Sequence, residues 1–182
     1  MLHAVLYVCI WPLLPHLAFY PAPTVARYWD DIDKGKDWDF VSTIGFLQAI
    51  KHTLRIMPSG VLHGGVPCSS FIFMSRGTSK RSRCWPAGNT KEPTVALANT
   101  ITSRFSLLIL IALARSVWWT VEQPLSSLMA AYAPMRHAME VTASFLSLNY
   151  VSTSMGMFGA FSVKPSQIWG SLPEPEGLLC VS

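Results

Sequence analysis

The sequence predicts an α/β domain, a parallel or mixed sheet with helices on both faces. Three observations predict it. Two short apolar runs, Val61–Gly64 and Val117–Val121, have the length of buried strands. A long apolar stretch, Thr94–Arg115, has the length of a helix and joins them. Each run passes directly into a segment rich in Gly, Pro or polar residues, as strands do when they end in loops.

The elements follow in order. Residues 1–24 form an apolar N-terminal segment of uncertain role. It has no Lys or Arg to make the positive start of a secretory signal, and Pro12 and Pro15 break what would be a membrane helix. Residues 25–170 form the α/β domain. Val25–Trp29 reads as a strand ending in acid. Asp39 or Phe40 to Ile56 reads as a helix, with Phe40, Ile44, Leu47, Ile50 and Leu54 near helical spacing as its buried face. Pro58-Ser59-Gly60 stops it. After the Val61–Gly64 strand, Pro67 to Pro93 is mostly loop. Arg104 and Arg115 bracket ten very apolar residues in the next helix, which therefore reads as a core helix and not a transmembrane span. The strand Val117–Val121 ends near Pro124, and a short helix runs from Leu125 to Tyr132. Ala143–Tyr150 and Val151–Met157 alternate loosely, as strands do. Residues 171–182 are a tail.

At 182 residues the chain can bury a core, and with 51% apolar and 13% charged residues it is not disordered. The net charge of +4 is a mild bias, but its distribution is uneven. All five aspartates lie between Asp30 and Asp39. Arg76, Lys80, Arg81, Arg83 and Lys91 occupy one stretch without an acid. Such a stretch is either a solvated loop or a surface for phosphates. The four cysteines form no CxxC and no histidine stands at zinc-finger spacing, so no metal site is expected. Free thiols in an intracellular setting, nuclear or cytoplasmic, are favoured over a Cys68–Cys84 disulfide. The apolar N-terminal segment leaves secretion or membrane attachment open.

Two segments carry chemistry. Gly64-Gly65-Val66-Pro67-Cys68-Ser69-Ser70 follows the first run, and Val121-Glu122-Gln123-Pro124 closes the second. Open α/β sheets bind ligands outside the carboxyl ends of their strands, so the Cys68 thiol and Glu122 carboxylate would face one crevice. A nucleophile and an acid together outline a reaction. Alone, Cys68 would be a small buried hydrophobe and Glu122 a cap for the helix after Pro124.

In order and spacing, these segments resemble the Pro-Cys and Glu-Asn-Pro motifs of the cytosine-C5 DNA methyltransferases. The resemblance spans Tyr28 to Gly170, with Gln123 where Asn is usual and Ser69 where Gln is common. It implies a Rossmann-like methyltransferase sheet and a DNA partner. It also implies S-adenosylmethionine as cofactor, with Cys68 as nucleophile and Glu122 on the target ring nitrogen. Asp31 would hold the cofactor's ribose and Asp39 its adenine, with Asp37 a rival and helix capping the alternative for Asp39. Pro67, Ser69, Ser70, Arg76, Lys80, Arg81, Arg83, Gln123 and Pro124 would line the nucleic-acid side.

The glycine-rich cofactor motif is missing: residues 1–24 contain no glycine. Only sixty residues follow Glu122, little room for a separate target-recognition domain. The expectation is therefore a fragment or degenerate copy of such an enzyme that binds the cofactor weakly or not at all. The alternative is an inactive α/β remnant kept for binding or structure.

Overall fold

A computed structural model describes residues 5–9, 28–30, 39–154 and 165–173. Six strands form one mixed sheet: β1 (Val5–Cys9), β2 (Tyr28–Asp30), β3 (Val61–Gly65), β4 (Trp118–Pro124), β5 (Asn149–Ser154) and β6 (Pro165–Gly170), in the order β2-β1-β3-β4-β6-β5. The protein is α/β, as the alternating pattern predicts. β3 and β4 are parallel and adjacent, with His63 beside Thr120 and Gly64 beside Val121. Their connection is α3 (Pro93–Ala114). β6 returns antiparallel to β4, and β5 pairs antiparallel with β6. β1 lies antiparallel between β2 and β3, so part of the apolar N-terminal segment is a strand of the sheet.

α3 starts with Pro93 in its first turn, where the missing N–H costs no helical bond. Val95, Ala98, Ile101, Phe105, Leu108, Ile109 and Ala112 bury the helix in the core. Thr100, Thr102 and Ser106 turn their hydroxyls back onto carbonyls four residues earlier, at 3.1, 2.7 and 2.8 Å. These residues can therefore sit among apolar neighbours without unpaired donors. By length and composition α3 is apolar enough to cross a membrane, yet much of it is buried inside the protein. It meets the sheet at Gly64, where a Cβ would stand 2.3 Å from the Phe105 ring. Glycine there is a packing requirement.

α1 (Thr43–Arg55) and α4 (Ala133–Ala143) both pack on α3. Ser42 caps α1, accepting from the Gly45 N–H at 2.9 Å. Arg104 holds the entry to α1 by donating to the carbonyls of Phe40 and Ser42 at 2.7 and 2.8 Å. The Trp119 indole N–H donates to Thr142 of α4 at 3.1 Å, and its ring meets Trp169 edge-on at 6.0 Å. The three long helices share one layer. Among the described residues, helices thus cover one face of the sheet and not both.

Several expectations are corrected. The buried face of α1 is Gly45, Ala49, His52 and Thr53, while Ile44, Leu47 and Leu54 are 55%, 58% and 47% exposed. The Leu125–Tyr132 helix shrinks to a 3₁₀ turn at Met129–Ala131, and α4 follows it. Pro134 sits at the start of α4, where proline favours a helix. Residues 143–148 are accordingly helix end and turn, and the strand begins at Asn149. β6 was not expected. It extends the pairing of β4 through Pro124, and Ser171 continues it by donating to the Trp119 carbonyl at 2.9 Å. The Val25–Trp29 strand is described only at its end, as β2.

Candidate active site

β3 and β4 run side by side in the same direction, so the segments after Gly65 and at Glu122 emerge at one edge of the sheet. Hydrogen bonds between the loops fix them there. The Gln123 amide donates to the Val66 carbonyl at 2.7 Å. The Ser127 hydroxyl donates to the other end of that amide at 2.9 Å. The Leu128 N–H donates to the Phe71 carbonyl at 2.9 Å. Cys68 lies between these two attachment points. Its own carbonyl accepts from the Phe71 N–H at 2.8 Å, closing a turn over Cys68–Phe71. The Ser75 hydroxyl donates to the Ser69 carbonyl.

Cys68 is half-buried and Cys84 exposed, and no disulfide joins them. Glu122 is half-buried. Alternation along β4 puts Trp119, Val121 and Gln123 toward the helices, and Thr120 and Glu122 toward the opposite face. His63 of β3 shares that opposite face. Its Nδ1 and the Thr120 hydroxyl are hydrogen-bonded at 2.8 Å. Burial lowers the His63 pKa below the ordinary 6.5, and the negative charge of Glu122 opposes that shift. His63 is thus a neutral imidazole electrostatically coupled to Glu122. Sequence reasoning gave it no role. Its position three residues into the strand that leads to Cys68 was the available signal.

The basic stretch divides. Arg76, Lys80, Arg83 and Lys91 are exposed, and Arg76 lies over the Phe73 ring at 4.8 Å. Lys80 adopts a left-handed backbone, φ 54°, at the end of the short helix α2 (Arg76–Ser79). Arg81 is instead 2% exposed. Its guanidinium donates to the Ser70 hydroxyl at 3.0 Å, the Asn99 side-chain oxygen at 2.9 Å, the Val95 carbonyl at 3.4 Å and the Pro86 carbonyl. It also lies 3.7 Å over the Phe71 ring. Burial pushes its pKa down to about 10, with the Tyr132 hydroxyl opposing. Arg81 is therefore turned away from any phosphate, which corrects its expected place on an exposed loop.

Gln123 is also corrected: at 1% exposure it ties two loops together and presents no amide outward. Pro67, Ser70 and Pro124 are buried, and Ser69 is half-buried. Asn99 donates to the Ala87 carbonyl at 3.0 Å as well as accepting from Arg81. Asp39 stands three residues before the Ser42 cap and closes a turn, its carboxylate accepting from the Val41 N–H at 2.9 Å and its carbonyl from the Ser42 N–H at 2.9 Å. Asp31 and Asp37 lie outside the described residues. Asp39 is thus the one of the expected cofactor aspartates that stands among the described residues. Among them no group of His, Cys, Asp or Glu could hold a metal ion.

No protein-family model matches this chain, and a search of curated proteins finds no match.

Proposed function

We propose that the chain carries the base-activating half of a cytosine-C5 methyltransferase-like site acting on DNA, on a Rossmann-like sheet. One observation supports it most: Cys68 follows β3 and Glu122 lies near the carboxyl end of the adjacent parallel β4, and hydrogen bonds tie the segment after β3 to the end of β4 and the loop beyond it. That is the crevice position open α/β sheets use for ligands.

The chemistry needs only groups this chain holds. The Cys68 thiolate adds to carbon 6 of cytosine, forming a C–S bond. The electron pair of the 5,6 double bond moves toward carbon 5, and the Glu122 carboxylate, which takes up a proton from solvent as the base binds, shares that proton with the ring nitrogen that gains electron density. Carbon 5 then takes a proton from solvent. Loss of its original hydrogen to water expels the thiolate and restores the double bond, and the ring nitrogen returns its proton to Glu122. A base in a duplex must first leave the stack to reach the two side chains. S-adenosylmethionine would supply the methyl group.

This half-reaction has its own test. In deuterated water, a cytosine-containing oligonucleotide incubated with the protein should exchange its carbon-5 hydrogen for deuterium without any methyl donor. Cys68→Ala should abolish the exchange, and Glu122→Gln should slow it by about 100-fold or more. Absence of exchange with folded wild-type protein would reject the catalytic reading and favour the inactive remnant.

A further inference from the structure

Arg81 is a buried cation that no carboxylate hydrogen bond compensates among the interactions described. Such a charge is expensive to bury. The compensation around it is of another kind and is directed at one place. Of its partners, Ser70 and Phe71 are the second and third residues after Cys68. Arg81 grips the first by a 3.0 Å hydrogen bond and the second by stacking at 3.7 Å. Its remaining bonds reach α3, through Asn99 and Val95, and the loop carbonyl of Pro86. The guanidinium therefore pins the Cys68–Phe71 turn to the first turns of the long core helix. From the other side the loop after β4 holds the same turn through Leu128, and Gln123 of β4 holds Val66 just before it. Only a planar fork with several donors spans these partners while stacking on a ring; a lysine ammonium does not.

We propose that Arg81 is the positioning residue of the site, holding the turn that carries Cys68 against α3 through Ser70 and Phe71. This rests on the reading of Cys68 as nucleophile, but the positioning itself is testable without catalysis. A turn released from its anchor frees a half-buried thiol while spoiling its alignment. Reactivity toward a small alkylating agent and catalytic competence should then move in opposite directions, which a general loss of stability under native conditions does not produce.

The experiment uses the full chain. Rates of iodoacetamide alkylation at Cys68 are measured by peptide mass spectrometry, with exposed Cys84 as internal reference, in wild type and in Arg81→Met and Arg81→Lys. Both variants should alkylate Cys68 severalfold faster relative to Cys84. Both should also lose about 100-fold in cytosine carbon-5 exchange, the scale of a small misplacement of reacting groups. Lysine, despite its charge, should not rescue. An unchanged Cys68-to-Cys84 ratio, or full rescue by lysine, overturns the proposal. If wild type shows no exchange yet the alkylation ratio shifts, the functional reading fails and the positioning stands. Should both Arg81 variants fail to fold, Ser70→Ala and Asn99→Ala each remove one arm of the grip. Unchanged Cys68 reactivity in both then overturns the proposal.

Discussion

His63 shows how one residue's surroundings set a property of the whole protein. It is neutral in the fold because burial outweighs the attraction of Glu122. His52 is shifted the same way, by burial first and then by Arg55 and Lys51. Both groups have folded pKa values below the unfolded 6.5, so below that pH the unfolded chain binds more protons than the folded one. Stability is full above 6.5 and falls as pH drops toward the folded values. Urea midpoints between pH 7.5 and 5 should decline for wild type and decline less for His63→Gln. An equal slope in the two proteins would show that His63 carries none of the effect. At the same scale, Gln123 and Asp39 were read from the sequence as site groups. In the structure their polar atoms are committed to the backbone nearby, Gln123 to Val66 and Asp39 to Val41.

Among the elements, α1 is the clearest case of a pattern that misleads. Ile44, Leu47 and Leu54 recur at helical spacing yet are exposed, while Gly45, Ala49, His52 and Thr53 face inward and Phe46 and Ile50 pack half-buried against the core. At Gly45 an added Cβ would stand 2.1 Å from the Asp39 carbonyl oxygen, so the chain before the helix lies directly on that face. Leu47→Lys and Leu54→Lys should therefore change unfolding free energy by no more than about 0.5 kcal/mol, as surface substitutions do. Denaturant titration decides it: a loss of about 2 kcal/mol or more, the cost of a buried leucine, would place these residues in a core. α3 behaves in the opposite way. Its length, its first-turn proline and its nearly continuous apolar sequence were all legible, because a helix buried on most sides needs no amphipathic pattern.

For the molecule as a whole, the basic stretch matters through what it leaves outside. Arg76, Lys80 and Arg83 are exposed close along the chain to the Cys68 turn, and Arg81 is not. If the exposed set meets phosphates, Lys80→Gln and Arg83→Gln should each lower the slope of log affinity against log salt by about 1. Fluorescence anisotropy with a labelled oligonucleotide measures this slope. An unchanged slope in the double variant removes the stretch from the binding surface.

By itself the sequence determined the α/β class, the strands at Val61 and Trp118, the helix between them and the order in which a thiol and a carboxylate follow those strands. These are local signals: apolar run length, first-turn proline, and Gly or Pro at strand ends. Only the tertiary structure decided which polar residues face the site and which hold it together. Arg81, Gln123 and Asn99 carry the composition of surface residues, and their burial depends on partners 4 to 57 positions away. The pairing of β4 with β6 and the placing of Val5–Cys9 in the sheet were likewise settled by long-range partners. Hydrogen-bond satisfaction across the fold, which no window of sequence contains, made those choices.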